Sequence, residues 1–441
     1  MIYSIHYQLK ALMILSLTLL IYSNVQSQRP NIIYILADDM GYSDLSCYGN
    51  KNFKTPNIDK LASQAVKFVN AYSAAPLCTP TRAAFMTGRY PAKTPVGLIE
   101  PLTGDNTDTA FGLSPGYPSI ATLMKSAGYH TALIGKWHLG SQSRFSPTKN
   151  GFDYFFGFRS GALDYISHKN TNSEHDLFEN DTPVYPQGYL TELISDKAIT
   201  YIKQEHHQPF FLTIAFNAPH WPWQGPNDKP YPDSIDFRDG GSPAIYEAMM
   251  KSMDEAVEKI LRALDDVGLT NKTIVIFTND NGGERYSDNG GFAKGKGSLK
   301  EGGIRIPAFV RWPGKIVPGI TTQQLAITMD WTATILSVAG AKANTDFPLD
   351  GINLMPVLTG KIKNIDRTFY WRTFQRLKQK AIREGDWKYL QDGAGEHLFN
   401  LVTDPAEETD LKEKEKDIFE RLKKKYIDWE KTVLKPIPLS N

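Results

Sequence analysis

Short apolar runs that alternate with helical patterns are the feature that most constrains how this chain can fold. The runs are rich in Ile, Leu, Val and Phe, as expected for strands buried on both faces of a sheet. The clearest are NIIYILA, HTALIG, PFFLTIAF and KTIVIFTN, at residues 31–37, 130–135, 209–216 and 272–279. Helical periodicity occupies residues 57–68, 119–128, 244–268 and 330–340. This alternation predicts an α/β fold with a mostly parallel central sheet flanked by helices.

The sequence changes character after about residue 345. Short strand-like pieces with turns between them, FYWRTF, QKAIREGDWKYLQD and EHLFNL, predict a small antiparallel sheet. The charged tail predicts a surface helix, because apolar residues recur at roughly helical spacing. These residues are Leu411, Ile418, Leu422 and Trp429. We therefore expect a large α/β domain at residues 28–345 and a smaller C-terminal subdomain at 346–441.

The first 27 residues have the pattern of a secretory signal peptide. Lys10 precedes the apolar run ALMILSLTLLIYS, and V-Q-S at 25–27 suits a cleavage site. A single N-terminal membrane anchor is the alternative, but the run is short for a membrane span. We expect the mature chain to be exported, to the periplasm or the medium, without stable membrane insertion.

The charge balance gives no reason to expect a nucleic-acid partner. The chain has 49 Lys and Arg against 48 Asp and Glu, a formal net charge of +1. With neither sign in excess, binding to nucleic acid or to an anionic membrane is not predicted. Recognition of an anion would have to be local to one site.

Acidic and amide side chains follow two of the predicted strands. Asp38 and Asp39 come directly after the first run, and Asp280 and Asn281 follow the last. Ligands of open α/β sheets bind beyond the carboxyl ends of the strands, so these side chains are expected to meet. Three carboxylates and an amide suit a hard cation, Ca²⁺ or Mg²⁺, rather than zinc. The alternative is that both pairs are ordinary turn formers.

Groups that can carry positive charge follow the other two strands. Lys136 and His138 come after the second run, and His220 comes after the third. They fit an anionic ester substrate, with Lys stabilising charge and His moving a proton. The Gly-rich segment 291–305 can also wrap an anion, with Lys294, Lys296 and Lys300. Each feature alone also fits a structural hydrogen bond or a surface loop.

The segment LCTPTR places Cys78 at the start of a predicted helix that ends at Gly88. A helix N-terminus attracts anions and lowers the pKa of a thiol, so Cys78 is a candidate nucleophile, with Arg82 one turn later. A disulfide with Cys47, the other cysteine, is the alternative. The whole set predicts metal-assisted transfer of a phosphoryl-like or sulfuryl-like group, and the spacing does not choose between them.

The same motifs closely resemble those of the type I sulfatases. C-T-P-T-R at residues 78–82, followed by AAFMTGRYP, resembles the family signature C-x-P-x-R with a downstream T-G-R. Other blocks occur in the family's order: ADDMGYSDLSCYGN, GKWHLG, NAPH, NDNGG, GKGSLKEGGIR and EHLFNLVTDPAEETDL. The resemblance spans nearly the whole mature chain. It implies an alkaline-phosphatase-like fold, with residues 28–345 as the catalytic domain and a subdomain containing an antiparallel sheet and a helix.

The resemblance also implies a modified residue and a metal ion. Cys78 would be converted to formylglycine by a maturation enzyme, and the hydrate of this aldehyde would supply the nucleophile. A disulfide with Cys47 is then not expected. One Ca²⁺ ion, rather than Mg²⁺, would be held by Asp38, Asp39, Asp280, Asn281 and modified residue 78.

The remaining catalytic roles are likewise implied by the family. Arg82 would fix the aldehyde hydrate, and Lys136 would bridge residue 78 and the sulfate. His220 and Lys296 would stabilise or protonate the leaving oxygen. His138 would accept the proton whose removal expels sulfate.

Export and the resemblance point to a sulfated glycan as the substrate, with aryl sulfates as artificial substrates. Trp221 and Trp223 follow His220, where an indole can stack on a sugar ring or pack beneath the loop. The segments 160–170 and 369–376 are predicted pocket walls. The residues predicted to contact the sugar are Trp223, Asp164, His168, Lys300 and Arg372.

Two alternatives stay open at this point. A phosphoester or phosphonate hydrolase on the same fold can share the C-x-P-x-R segment, although Lys136, His138 and His220 together favour sulfate. A glycan-binding relative without activity is the second alternative, but every expected catalytic position is filled here.

Overall fold

The four apolar runs lie in one large sheet of the computed structural model, which describes residues 29–103, 110–233, 235–375 and 377–438. The strands of this sheet are β1 (Asn31–Ala37), β2 (Val66–Tyr72), β3 (His130–Lys136), β4 (Tyr154–Phe158), β5 (Phe178–Glu179), β6 (Thr182–Pro183), β7 (Phe210–Ala215), β8 (Thr273–Asn279), β9 (Arg305–Arg311), β10 (Ile320–Thr322) and β11 (Ala326–Ile327). Their order is β10-β2-β9-β8-β1-β7-β3-β4-β5-β6, and β11 also pairs with β2.

The centre of this sheet is parallel. Strands β8, β1, β7, β3 and β4 run in one direction, and every residue of β1, β7 and β8 is buried. Strand β9 runs antiparallel to β8 and β2. The predicted α/β class with a mostly parallel sheet is confirmed. Ala37 pairs with Asn279 at the last position of β1 and β8, so Asp38 and Asp280 leave the sheet together.

Helices cover both faces of the sheet. Alternate residues of β1 point to opposite faces and all are apolar or buried, so each face needs a covering layer. The helices are α1 (Pro56–Ser63), α2 (Cys78–Thr87), α3 (Ile120–Ser126), α4 (Leu190–Lys203), α5 (Pro243–Asp266), α6 (Glu301–Ile304), α7 (Thr328–Ala339), α8 (Met355–Leu358) and α9 (Lys416–Glu430). Helices α1, α4 and α5 pack on one face, and α2, α3 and α7 pack on the other. Short 3-10 turns are Ser46–Tyr48, Pro91–Lys93, Val96–Leu98, Ser143–Phe145, Pro147–Asn150 and Thr270–Lys272.

The helix predicted at residues 57–68 is wrong at its C-terminal end. The structure ends α1 at Ser63, and residues 66–68 begin β2 instead. The segment VKFVNAY pairs with β9 on one side and with β10 and β11 on the other. These pairings override the helical spacing that residues 66–68 share with α1.

A second, four-stranded antiparallel sheet follows, as predicted. It consists of β12 (Thr368–Arg372), β13 (Lys380–Glu384), β14 (Trp387–Asp392) and β15 (Gly395–Asn400), in that order. Helix α9 packs on it through Leu422 and Tyr426, which contact the buried side chains of Ile382, Tyr389 and Leu398. The boundary between residues 345 and 346 stays a prediction.

The other face of the small sheet packs against the large one. The Trp371 indole N–H of β12 donates to the Ser73 carbonyl oxygen at 2.8 Å. A shared apolar cluster contains Tyr72, Leu299 and Ile304 beside Trp371. This contact anchors the C-terminal strands next to the loop that precedes α6.

The structure bears on membrane insertion and cysteine pairing but not on the signal peptide. The predicted signal peptide at residues 1–27 lies outside the described residues. Within the described residues, none of the helices combines the length and the hydropathy needed to cross a bilayer. Cys47 and Cys78 are both free, and no disulfide joins them.

Candidate active site

The carboxylates that follow β1 and β8 lie side by side at the carboxyl edge of the sheet. Asp38 and Asp280 are fully buried, and Asp39 is 2% exposed. The Asp39 amide N–H donates to Asp280 Oδ1 at 3.2 Å. Asp39 has a φ of 63°, a conformation that residues other than glycine rarely adopt and that is concentrated at functional sites. The structure therefore brings together the acidic groups that the sequence separates by more than two hundred positions.

Oxygen atoms without a hydrogen-bond partner face this edge. The Asn281 Nδ2 group donates to Asp39 Oδ1 at 2.7 Å, which leaves Oδ1 of Asn281 as a free acceptor. Among the described residues, Oδ1 of Asn281 and Oδ1 of Asp38 are buried without a hydrogen bond. Buried polar atoms normally have a partner, so these two oxygens are available to a ligand. Carboxylate and amide oxygens are the donors that Ca²⁺ prefers, and the residues present fit that ion.

Two lysines pair with the carboxylates after β1. Lys136 Nζ, at the end of β3, lies 2.5 Å from Asp38 Oδ2. Lys296 Nζ, in the Gly-rich loop, lies 2.5 Å from Asp39 Oδ2. Both lysines are thus drawn to the predicted metal ligands, and they also place positive charge where an anionic substrate would need it.

Arg82 holds the third carboxylate. It lies on α2, and its Nη2 is 3.0 Å from Asp280 Oδ2 and 3.6 Å from Asp38 Oδ2. Its Nη1 donates to the Lys136 carbonyl oxygen at 3.1 Å. Three cations therefore face three buried carboxylates, and Arg82 ties α2 to the ends of β3 and β8.

The three carboxylates differ in how readily they ionise. Burial raises the pKa of Asp38 well above its usual value and raises the pKa of Asp39 to about 6. Burial also acts on Asp280, but the charges of Arg82 and Lys136 overcome it and hold its pKa below the usual value. Asp280 is the most firmly ionised of the three, because it has the guanidinium beside it.

Cys78 is the first residue of α2, as predicted, and is 1% exposed. The helix ends at Thr87, with Gly88 in the left-handed conformation that closes a helix. Burial raises the pKa of the Cys78 thiol despite the charges of Lys136 and Lys296. This outcome corrects the expectation of a thiol activated by the helix N-terminus, since desolvation outweighs the nearby positive charge.

The two predicted catalytic histidines are buried and neutral. His138 has a φ of 54°, and its Nε2 lies 2.9 Å from the Leu102 carbonyl oxygen, which can only accept a hydrogen bond. Nε2 therefore carries the proton, and Nδ1, which has no partner among the described residues, carries a lone pair. Burial, reinforced by Lys136, lowers the pKa of His138 well below its usual value.

His220 lies between the acidic cluster and the cavity. Its Nδ1 lies 2.6 Å from the Trp221 carbonyl oxygen, and its Nε2 lies 3.5 Å from Asp39 Oδ2. Burial, followed by the charge of Lys296, lowers its pKa well below the usual value. Ligand atoms of Asp38, Asp39 and His220 lie within 4.8 Å of one another. The predicted metal set had no histidine, and a nitrogen donor suits a hard cation less well than the oxygens do.

Family models identify the protein family to which the chain belongs. The model described as "Sulfatase" matches residues 30–341, and that described as "N-sulphoglucosamine sulphohydrolase, C-terminal" matches residues 291–432. The chain belongs to the sulfatase family. It is accordingly a sulfuric ester hydrolase, on the fold of the alkaline phosphatase superfamily.

Individual relatives agree with the family match. Human N-acetylgalactosamine-6-sulfatase is 36% identical over 369 residues, which cover 78% of this chain and 69% of the relative. Mouse arylsulfatase J is 30% identical over 470 residues, covering 92% of this chain and 77% of the relative. Among solved structures, Ps i-CgsB in complex with k-i-k-neocarrahexaose is similar, with a TM-score of 0.83, 30% identity and coverage of 94% of this chain and 95% of that one.

A cavity of about 830 Å³ opens beside the candidate active site of this sulfatase. Cys78, His138, His220 and Lys296 all line it, so the predicted nucleophile and bases face one space. The predicted walls at residues 160–170 and 369–376 contribute Ser160, Gly161, Ala162, Asn170 and Thr373. The volume is that of a site for a small ligand.

The predicted sugar contacts Trp223 and Asp164 are not on this cavity. Trp223 is 2% exposed and packs edge-to-face on Tyr286, whereas the neighbouring Trp221 lines the cavity. The Asp164 carboxylate accepts four hydrogen bonds from its own surroundings, among them one from Gln224 Nε2 at 2.9 Å. The structure corrects both predictions, because these side chains hold the loops that form the wall.

The other three predicted sugar contacts also have structural partners instead. His168 is buried, and its Nε2 lies 3.1 Å from the Gly188 carbonyl oxygen. Lys300 Nζ donates to the Glu407 carbonyl oxygen at 3.2 Å. Arg372 Nη2 donates to the Leu434 carbonyl oxygen at 2.7 Å. None of the three lines the cavity, so these predictions are corrected as well.

Several cavity residues were missed by the sequence analysis. Glu284 follows the NDNGG motif directly, and its Oε2 lies 3.8 Å from Lys296 Nζ. That position could have been found from the motif. Arg238 and Asp236 lie in the long loop between β7 and α5, where no motif marks them, and they reach the cavity only because the loop folds back.

Proposed function

We propose that this sulfatase removes sulfate from a sulfated glycan in the periplasm or outside the cell. The observation that carries the proposal is the convergence of Cys78, His138, His220 and Lys296 on one cavity, next to buried acidic and amide groups whose Asp38 Oδ1 and Asn281 Oδ1 are unpartnered. A cavity of about 830 Å³ accommodates a sugar rather than a sulfate ion alone. In the reaction, water is consumed, the bond between sulfur and the ester oxygen breaks, and an alcohol and sulfate leave.

We propose that Cys78 acts as formylglycine, made by a maturation enzyme that recognises the CTPTR segment. A buried thiol with a raised pKa is a poor nucleophile at neutral pH, whereas an aldehyde hydrate supplies a hydroxyl at the same place. Arg82, bonded to Asp280 and to the Lys136 backbone, keeps the start of α2 in position. Lys136 stabilises negative charge next to residue 78.

The proposed calcium ligands are Asp38, Asp39, Asp280 and Asn281, together with modified residue 78. When bound, Ca²⁺ would lower the pKa of the nucleophilic hydroxyl and screen the sulfate oxygens. His138 accepts a proton at Nδ1, since its Nε2 is bonded to the Leu102 carbonyl oxygen. Lys296, whose pKa is raised by Asp39 although burial opposes it, keeps its positive charge beside His220 at the leaving oxygen.

The glycan part of the proposal is supported by the named substrates of relatives and by the cavity wall. One relative is named for N-acetylgalactosamine 6-sulfate, and one similar structure holds neocarrahexaose. Trp221 lies beside His220 with ring centroids 4.2 Å apart, and its half-buried indole can pack on a sugar ring.

The test is sulfate release by protein made together with a formylglycine-generating enzyme. Matched sulfate and phosphate esters of 4-nitrophenol are compared first, followed by a panel of sulfated oligosaccharides. We expect sulfate esters to be preferred and at least one oligosaccharide to be desulfated. A clear preference for the phosphate ester would overturn the sulfate assignment, and activity on aryl sulfates alone would overturn the glycan assignment.

A further inference from the structure

Two cations lie close to the Trp221 ring in the cavity. Lys296 Nζ lies 5.9 Å from the centroid of its ring, and the guanidinium carbon of Arg238 lies 5.4 Å from it. Lys296 pairs with Asp39 and belongs to the proposed sulfate-cleaving group. Arg238 therefore contacts the same indole ring as a residue of the proposed sulfate-cleaving group.

Within the described residues, Arg238 forms no ion pair with an acidic side chain. Across residues 29–103, 110–233, 235–375 and 377–438, no carboxylate oxygen lies within 4.0 Å of its guanidinium nitrogens. Nearby Asp236 accepts the backbone N–H of Arg238 at 2.9 Å rather than its side chain. An exposed guanidinium on a cavity wall can accept an anion from a ligand without breaking an existing ion pair.

Two of the other cavity carboxylates have contacts within the protein. The Glu100 carboxylate accepts the backbone N–H groups of Phe374 and Gln375, at 2.9 to 3.0 Å. Glu284 lies 3.8 Å from Lys296 Nζ. The Glu100 carboxylate is therefore held by the protein, and in the part of the chain that the structure describes, Arg238 is the positive group of the outer cavity.

We propose that Arg238 and Trp221 form a subsite for a second anionic group of the substrate, a sulfate ester or a uronate carboxylate on the same sugar or its neighbour. The inference rests on the proposed function and adds that the preferred glycan carries two anionic groups within reach of one cavity. The Arg238 guanidinium can donate two parallel hydrogen bonds to a sulfate or to a carboxylate. The Trp221 indole can pack on the sugar that carries this group. The exposed carboxylates of Glu174 and Asp236, which also line the cavity, would repel further anionic groups.

The test compares oligosaccharides that share one backbone and differ in charge. One form carries a single sulfate, the second carries two sulfates, and the third carries one sulfate and one uronate. The quantity measured is kcat/KM for sulfate release, expressed as the ratio of each dianionic form to the monoanionic form. In Arg238→Gln we expect this ratio to fall about tenfold, mainly through a higher KM, because one charge-assisted contact is lost.

Two further variants complete the design. Arg238→Lys should keep part of the preference, because it retains the charge without the planar fork. Arg262→Gln removes the same charge from the exposed face of α5, where Arg262 pairs with Glu258, and should leave the ratio unchanged. Comparing the substrate with two sulfates and the substrate with one sulfate and one uronate shows whether Arg238 binds a sulfate or a carboxylate.

Three results would show that Arg238 does not bind a second anionic group. The proposal is overturned if the unaltered enzyme prefers neither dianionic form, or if Arg238→Gln keeps the preference intact. A fall of equal size on all three forms would overturn it too, since Arg238 would then act on the reaction and not on a second anion. Hydrolysis of 4-nitrophenyl sulfate by the unaltered enzyme reports the proposed function separately, because this ester carries one anionic group.

Discussion

At the scale of single residues, the surroundings of Cys78 decide its chemistry. The side chain is 1% exposed at the first position of α2, within a site that already holds three carboxylates and three cations. Desolvation raises the pKa of its thiol, so the helix N-terminus does not produce a thiolate. Conversion to formylglycine is the proposal that makes this position reactive.

Replacing Cys78 by alanine tests this role. Cys78→Ala should abolish sulfate release from 4-nitrophenyl sulfate and change the melting temperature by only a few degrees, because little volume is removed. Mass spectrometry of the peptide containing residue 78 should find the aldehyde in active protein. Cys47→Ala, at the other free cysteine, should retain activity. An unmodified Cys78 in fully active protein would contradict the proposal.

The unpartnered oxygens of the proposed calcium site give a second prediction at this scale. Adding Ca²⁺ at about a hundred times its Kd should stabilise the protein by about 2.7 kcal/mol, measured as a rise in melting temperature. In Asp38→Asn this rise should shrink, since one of the proposed ligands loses its charge.

A matched control is Asp254→Asn. This buried carboxylate accepts the backbone N–H groups of Asn57 and Ile58 at the start of α1. The substitution should lower stability but preserve the stabilisation by Ca²⁺. An equal rise with Ca²⁺ in Asp38→Asn and in the unaltered protein would show that Asp38 is not a ligand.

At the scale of elements, the loop that carries Lys296 is held by the C-terminal region. The first residue of α6, Glu301, donates its backbone N–H to Glu407 Oε2 at 2.6 Å. Lys388 Nζ, fully buried on β14, lies 2.9 Å from Glu407 Oε1 and 3.0 Å from Glu301 Oε1. These ion pairs connect β14, α6 and the segment after β15 beneath the active site.

Helix α6 in turn holds the end of β8. The Gly282 amide N–H donates to the Gly303 carbonyl oxygen at 2.9 Å. A Cβ atom on Gly282 would lie 1.8 Å from the Gly302 carbonyl oxygen, so only glycine allows this approach. Glu407 therefore reaches both Lys296 and Asn281 through α6, although it touches neither.

We expect Glu407→Gln to disturb the site from a distance. Loss of a buried charged contact should lower the free energy of unfolding by about 2 kcal/mol, measured by urea denaturation. The kcat/KM for 4-nitrophenyl sulfate, assayed well below the melting temperature, should fall because Lys296 is less well placed. The exposed neighbour provides the control, and Glu408→Gln should change stability by less than about 0.5 kcal/mol. Loss of stability with unchanged kcat/KM would limit Glu407 to a structural role.

At the scale of the whole molecule, the two sheets form one packed body. Trp371 is 1% exposed, contacts Tyr72 with ring centroids 5.6 Å apart, and donates to the Ser73 carbonyl oxygen. Ser73 and Tyr72 belong to the segment that leads into α2 and Cys78. The small sheet therefore supports the start of the helix that carries the proposed nucleophile.

Trp371→Ala should accordingly cost about 4 kcal/mol of the free energy of unfolding, because it removes a buried aromatic side chain and its hydrogen bond. Urea unfolding should remain a single transition at a lower midpoint. Tyr185→Ala, at a side chain that is 71% exposed, should change stability by less than about 0.5 kcal/mol. Two separate transitions in the unaltered protein would contradict the description of one cooperative unit.

A sequence pattern predicts an element when the interactions that form this element are local. The predicted run at 31–37 coincides with β1, since a continuous apolar strand needs no knowledge of its neighbours. Residues 66–68 fit a helical pattern locally, whereas the partners that make them a strand lie more than two hundred positions away. The pattern HWPW does not show which tryptophan reaches the cavity, and the structure places Trp221 there and buries Trp223.

The sequence by itself determined the class of the protein and predicted which polar groups lie together. Continuous apolar runs dictate a buried parallel sheet, and polar residues after each run must meet at one edge, so Asp38, Asp280 and His220 were found without coordinates. Only the tertiary structure decided which side chains reach the cavity. Arg238 faces it and Asp164 does not, because loop packing and hydrogen bonding are set by contacts between distant segments, which no local pattern records.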